Sequence, residues 1–196
     1  VNADRGNLFL AGVGGQGTLL ASEVLGEAFL RGGYDVKKSE VHGMAQRGGA
    51  VTTHLRFARG GVRSPLIDPG TAEVLLAFEK MEGLRWLHYL APGGTVVANA
   101  QEIWPSPVAT GKEHYPDRIE ERIRAAAGRL VLVDALPIAL RLGEVRAVNL
   151  VLVGAASPFL PLPAEVYEEA IRARMKARLA EVNVAAFRAG REAAAS

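Results

Sequence analysis

Cysteine is absent from the 196 residues. Its absence excludes a disulfide framework, a cysteine nucleophile, thiolate zinc sites and any iron–sulfur cluster held by the chain's own thiolates. If the protein serves iron–sulfur chemistry, another chain must hold the cluster. An excess of one charge sign is also missing. Lys+Arg number 23 against 21 Asp+Glu, a net charge of +2, too balanced for the concentrated basic face of a nucleic-acid binder. No apolar run reaches the ~18 residues of a membrane span. Val1–Gly6 carries neither the basic nor the apolar region of a secretory signal, so the cytoplasm is the expected location. His42, His54, His88 and His114 have no metal-ligand spacing. No Ser-His-Asp set or pair of catalytic carboxylates is legible, so no catalytic or metal-binding residue is assigned.

What is present is enough for a core. Hydrophobic residues make up 49% and charged residues 22%, the balance of a globular chain, and the length suits one domain over residues 1–196. Asn7–Gly12 reads as a buried strand and Gly12–Gly17 as a turn. Thr18–Arg31 has helical spacing and stops at Gly32-Gly33. Tyr34–Ser39 can form a second strand. Val41–Gly49 has no period and reads as a loop, and Ala50–Ala58 alternates as a strand does. Further strands are expected at Glu73–Phe78, Thr95–Asn99 and Arg129–Asp134. Helices are expected at Glu79–Leu90, closed by Pro92-Gly93-Gly94, and from Pro116 to Ala127, supported by a Glu120–Arg124 pair. Gln101–Tyr115 holds two prolines and a glycine and reads as a long loop. Ala147–Ala156 fits a strand by propensity and a buried helix equally well. C-terminal helices fill about 163–192, acidic early and basic later, as the helix dipole prefers. The fold class is therefore α/β, a three-layer α/β/α sandwich with a mostly parallel, mixed sheet.

Gly12, Gly14 and Gly17 form G-x-G-x-x-G between a strand and a helix, the Rossmann-like context the motif requires. Such glycines let the backbone approach an anion at a helix N-terminus, so a phosphate or pyrophosphate is the natural occupant. The same glycines would equally pack the helix onto the strand. At the end of the second strand an NAD site wants an acid, but this chain places Lys37 and Lys38 there, then Glu40. Adjacent lysines suit a second phosphate, as on NADP or coenzyme A, or are simply solvated. In Ser39–Gly49 (SEVHGMAQRGG) a glycine-rich loop replaces the helix of a Rossmann domain, and loops of this kind tend to carry function. Arg47 in it is placed to clamp an anion or cross an interface, or is plainly solvated. His42 alone among the histidines lies there. Asp134 ends a strand, where α/β folds put functional carboxylates, or caps the helix that follows.

With GVGGQG and KKSEVHGMAQRGGAV, the chain resembles the gamma subunits or domains of 2-oxoacid:ferredoxin oxidoreductases, and within them the small (beta) subunit of the indolepyruvate branch. The likeness extends over nearly the whole chain, including Glu73–Phe78, the PGG stop and NLVLVGA. It implies a part in the oxidative decarboxylation of a 2-oxoacid to an acyl-CoA. It also implies a large (alpha) partner subunit that carries thiamine diphosphate and the iron–sulfur clusters and passes electrons to ferredoxin. By the same resemblance Gly14, Gly15, Gln16, Gly17, Thr18 and Lys38 stand near coenzyme A, with Lys37 as the alternative to Lys38. His42, Gln46 and Arg47 match the family loop without an assigned role. The isolated chain would be inactive, with self-association open. A free-standing NADP oxidoreductase and a purely structural interface subunit are the rival readings. A docking subunit should expose apolar surface; the candidates are the loop around Met44, Trp104-Pro105 and Pro158–Pro161.

Overall fold

The computed structural model describes residues 3–43 and 49–195. The sheet is built around β1 (Arg5–Val13), whose side chains alternate between two buried faces. Leu8 and Leu10 enter one apolar core, Phe9 and Ala11 the other. A strand buried on both faces reads as an uninterrupted apolar run, which is why NLFLAG carries no alternation. Helix α1 (Thr18–Arg31) follows, with the bounds the spacing predicts. Then come β2 (Asp35–His42), β3 (Ala50–Ala58) and β4 (Ala72–Ala77). Next are α2 (Lys80–Arg85), β5 (Leu90–Asn99), the four-residue α3 (Ser106–Ala109) and α4 (Ile119–Ala126). The chain closes with β6 (Arg129–Val133), α5 (Ala135–Arg141), α6 (Val148–Ala156), α7 (Ala164–Arg174) and α8 (Ala177–Ala195).

The strand order is β2-β3-β1-β4-β5-β6. The pairs β1–β4, β4–β5 and β5–β6 are parallel, whereas β3 runs antiparallel to both β1 and β2. The sheet is mixed, and parallel only in its second half. One core joins the sheet to α1, α6, α7 and α8. The other lies against α2 and α4 and includes Ile119 and Ile123. This is the three-layer sandwich expected.

Several local expectations are corrected. The helix predicted over Glu79–Leu90 shortens to α2 plus a 3-10 turn at Leu87–Tyr89, because Leu90 already pairs with Ala72. Pro92-Gly93-Gly94 lies within the irregular start of β5, and unbroken register begins at Thr95. The helix expected from Pro116 starts at Ile119, after Arg118 takes a left-handed backbone (φ 51°). Glu120 stands 3.6 Å from Lys80 Nζ, an ion pair across elements rather than the expected one along the helix.

The ambiguous segment is α6, a helix buried from Asn149 to Ala156. It packs so closely on α8 that a Cβ on Gly154 would meet Phe187 O at 2.0 Å, and one on Gly190 would meet Val151 O at 1.9 Å. A helix apolar on all sides belongs in the interior, and tertiary packing there overrides the β-branched propensity of its valines. Of the docking candidates, Trp104 is 59% exposed. Pro158 is exposed, but Phe159 is half-buried beneath Arg129. Met44 lies outside the described residues. Among the described residues no helix is long and apolar enough to cross a membrane.

Candidate functional site

At the carboxyl end of β1 the chain turns through Gly14–Gly17 into α1. Gly14 N–H donates to Gly49 O (3.0 Å) and Gln16 N–H to Val13 O (3.2 Å). Gly15 (φ 99°) and Gly17 (φ 75°) occupy left-handed backbone that a side chain would strain. The glycines have separate reasons. A Cβ on Gly12 would come within 2.7 Å of Thr18 Cγ2 and 2.9 Å of Phe78 Cβ, and one on Gly17 within 2.7 Å of Asn149 Nδ2. Gly12 and Gly17 therefore serve packing. A Cβ on Gly15 would meet nothing within 4 Å; that glycine faces open space.

Gln16 clasps the loop. Its Oε1 accepts from Val13 N–H (2.7 Å) and its Nε2 donates to Phe78 O (2.8 Å), tying the ends of β1 and β4 together. Asn149 on α6 donates to Gly17 O (3.2 Å) from the far side. Gly17 is the N-cap of α1, with no side-chain cap and no acid in the first turn, so the helix dipole there is uncompensated. Above the loop lies a cleft of about 570 Å³. Gly14–Gly17 form one side, Leu20, Ile103, Leu136, Val145 and Val148 an apolar wall, and Gln101, Asn149 and Arg146 its polar groups. Such a mixture of apolar wall and few polar groups is typical of a small-molecule site.

Of the residues singled out by the sequence, Gly14, Gly15, Gln16 and Gly17 line this cleft. Thr18 is buried with its methyl toward Gly12, so it packs rather than faces the cleft. Lys38 is not brought there. It pairs with Leu55, which pairs with Leu8, so it stands level with the middle of β1. Its Nζ binds Glu40 Oε1 (2.9 Å) and lies 3.3 Å from the Ser22 hydroxyl on α1. The expectation of a strand-end lysine fails because β2 continues to His42. Lys37 has its side chain on the opposite face of β2 from Lys38. His42 pairs with Val51 and thus stands level with Gly12, two strands away and exposed. Gln46 and Arg47 lie outside the described residues. Among the described residues, Arg146 is the cation that lines the cleft, and it sits in a short 3-10 turn before α6. A lone arginine far along the chain gave no signal that it would meet the first loop.

The topology also bears on the ligand. A dinucleotide fold sets its second parallel strand directly beside the first. Here β3 lies between β1 and β2 and runs against both, so the NADP reading loses the neighbouring strand it needs. Asp134 occupies the N-cap position of α5 but makes no capping bond; Asn99 Oδ1 accepts from Ala135 N–H (3.3 Å) instead. His54 accepts from Ile67 N–H through Nδ1 (3.0 Å), and burial lowers its pKa, the state of a structural neutral imidazole.

Beside the cleft is a buried acidic cluster that the sequence reading overlooked. Glu79, fully buried, follows directly on β4 and its neighbour Phe78. Its carboxylate accepts from Glu82 N–H (3.0 Å), Ile103 N–H (3.3 Å) and the Tyr115 hydroxyl, so it anchors the 100–115 segment that carries Ile103 into the cleft. Burial and the Glu79 hydrogen bond push the Tyr115 hydroxyl up. Burial also raises Glu82, against the opposing pull of Arg85 and the Trp86 indole N–H.

Comparison with known proteins agrees with this architecture. Residues 7–193 match the family described as Pyruvate ferredoxin/flavodoxin oxidoreductase. The chain is 41% identical over 194 residues to the indolepyruvate oxidoreductase subunit IorB of Pyrococcus horikoshii, covering 96% of this chain and 95% of that one. It is 40% identical over 190 residues to IorB of Archaeoglobus fulgidus, covering 95% and 94%. Among solved structures, the gamma subunit of a keto/oxoacid ferredoxin oxidoreductase from Geobacter sulfurreducens superposes with TM-score 0.71 at 21% identity, covering 96% of this chain and 98% of that one. The 2-oxoglutarate:ferredoxin oxidoreductase of Magnetococcus marinus, with 2-oxoglutarate, coenzyme A and succinyl-CoA bound, superposes at 0.74 and 19% identity. This chain spans 31% of that much longer one. These two likenesses establish the fold, and the family match over almost the full length establishes the lineage: the chain belongs to the pyruvate ferredoxin/flavodoxin oxidoreductase family.

Proposed function

We propose that the chain is the small accessory subunit of a ferredoxin-dependent indolepyruvate (aryl-pyruvate) oxidoreductase. In this role it braces a large subunit and lends its glycine loop to a shared coenzyme A site. The observation that carries the reading is the identity of about 40% to two indolepyruvate oxidoreductase subunits along nearly the whole of each chain. The cleft over Gly14–Gly17, with an uncapped helix N-terminus and Arg146 beside it, suits the phosphates of coenzyme A. Its apolar wall suits a less polar portion of the same ligand. Lys38, held by Glu40 and Ser22, has no part in this proposal; Arg146 takes the place assigned to it by resemblance. His42 stands at the same end of the sheet.

The chain contains no thiolate to hold an iron–sulfur cluster, so clusters are assigned to the large partner; the family resemblance assigns thiamine diphosphate to the same partner, and the complex is assigned to the cytoplasm. Thiamine diphosphate there supplies the cleavage of the bond next to the carboxylate. What this chain contributes is positioning: Gln16 and Asn149 hold the loop in one geometry, and Glu79 holds the opposite wall. The test is reconstitution. The purified chain should show neither the visible absorbance of a cluster nor 2-oxoacid oxidation. Adding the large subunit should give coenzyme A-dependent reduction of ferredoxin, with indolepyruvate preferred over 2-oxoglutarate. Oxidation by the isolated chain, or failure of the reconstituted complex to use any aryl-pyruvate, would overturn the reading.

A further inference from the structure

β2 is the outermost strand, paired with β3 along its eight residues. Among the described residues no strand pairs with its other edge. An open edge is a template for a further strand unless something guards or occupies it. The side chains of Val36, Lys38, Glu40 and His42 alternate onto the α1 side, as the contacts of Lys38 and Glu40 with Ser22 show. Asp35, Lys37, Ser39 and Val41 lie on the other side, and Val41 is 55% exposed.

Two copies of such an edge can meet across a two-fold axis perpendicular to the sheet. The strands then run antiparallel, and residues directly opposite must share a face. It follows that one residue on the axis must oppose its own copy. Centring on Lys37 or Lys38 sets two ammonium groups face to face, and centring on Glu40 sets two carboxylates together. Centring on Ser39 puts an uncharged residue on the axis. It places Lys38 opposite the second copy's Glu40, and Glu40 opposite the second copy's Lys38. Each Lys38 is already 2.9 Å from its own Glu40, so the four charges would alternate in a closed ring. Lys37 then lies opposite the second copy's Val41, where its methylene stem can cover the exposed valine. Opposite charges directly across a strand pair are favourable and like charges unfavourable. Centring on Val36 would also oppose Lys37 to the second copy's Asp35, but it would pair only residues 35–37 of the strand, whereas centring on Ser39 pairs residues 36–42; charge and paired length together favour this register.

We propose that the β2 edge is a self-association surface, through which two copies of this chain join antiparallel, centred on Ser39, into one continuous sheet. The proposal goes beyond the accessory role and does not depend on it. The chain has no cysteine, so Ser39→Cys introduces a single thiol. In an antiparallel pair, opposite Cα atoms stand about 4.5–5.5 Å apart, within the span a disulfide bridges. Asp35→Cys is the control, since its two copies would lie about 26 Å apart at ~3.3 Å per residue. Under mild oxidation the Ser39→Cys chain should cross-link as a dimer and the Asp35→Cys chain should not. By sedimentation, the wild-type chain should dimerise with rising concentration. Lys38→Glu should weaken the dimer at least about tenfold, and the charge swap Lys38→Glu/Glu40→Lys should restore it. A wild-type chain that stays monomeric up to high micromolar concentration would overturn the proposal. So would Ser39→Cys cross-linking no faster than Asp35→Cys.

Discussion

The loop glycines Gly12, Gly15 and Gly17 have different physical duties. Gly12 and Gly17 are fixed by neighbours that a methyl group would strike, whereas Gly15 is fixed by its backbone angle alone. Gly15→Val should therefore leave the core intact, strain the turn and impair coenzyme A use by the assembled enzyme. The charge assignment is separable as well. If Arg146 meets a phosphate, Arg146→Ala should raise the apparent KM for coenzyme A roughly tenfold to a hundredfold, the worth of a charge-assisted contact of about 1.5–3 kcal/mol. Lys38→Ala should leave that KM near wild type. Steady-state kinetics with coenzyme A varied at saturating 2-oxoacid decides it, and the reverse pattern would return the role to Lys38.

Helices α6 and α8 touch backbone to backbone, and this sets the tolerance of the larger core. The Cβ of Gly154→Ala would sit 2.0 Å from Phe187 O, and backbone cannot yield as a flexible side chain does. The helices must separate, so the variant should lose about 3 kcal/mol or more, toward or beyond the upper end of overpacking costs; a denaturant titration measures this. On the outer face, α7 is tied to α8 by Glu168, which accepts from Arg188 Nε at 2.7 Å and Nη2 at 2.6 Å. The Arg188 hydrogen bond foremost, with the charges of Arg188 and Arg172, holds the Glu168 carboxyl below its usual pKa. A carboxylate with a depressed folded pKa contributes stability above its unfolded pKa and loses it as pH falls through the folded value. Glu168→Gln should thus lower the melting temperature at neutral pH, with the gap to wild type closing in acid below the ordinary carboxylate range. A gap independent of pH would show that packing rather than charge is at stake.

For the molecule as a whole, the sheet couples everything. The two apolar cores lie on opposite faces of the same strands, with Leu8 and Leu10 in one and Phe9 and Ala11 in the other. Neither can be exposed without tearing β1, which sits at the centre of the sheet. The chain should consequently unfold in one cooperative transition, with calorimetric and van't Hoff enthalpies equal. Two resolved transitions would divide it into domains.

The linear sequence determined what depends on near neighbours. The α1 bounds, the alternating β3 and the glycine turn between β1 and α1 rest on side-chain period and local backbone freedom, and these are written in consecutive residues. It also fixed the absence of thiolates, a matter of composition alone. Tertiary structure decided what depends on distant contact. The propensity of VNLVLVGAA favours a strand, and burial of the whole segment against α8, with Gly154 at the contact, makes it a helix instead. The place of Lys38 turned on β3 inserting between β1 and β2, a pairing no local pattern encodes. Arg146, some 130 residues from the glycine loop, came to it only because α6 docks beside α1. Glu79 stands in the sequence only as the first residue of an expected helix, and its carboxylate is enclosed by groups from two later segments. In each case the deciding energy is burial or hydrogen bonding between parts far apart along the chain, and a single sequence does not display which parts will meet.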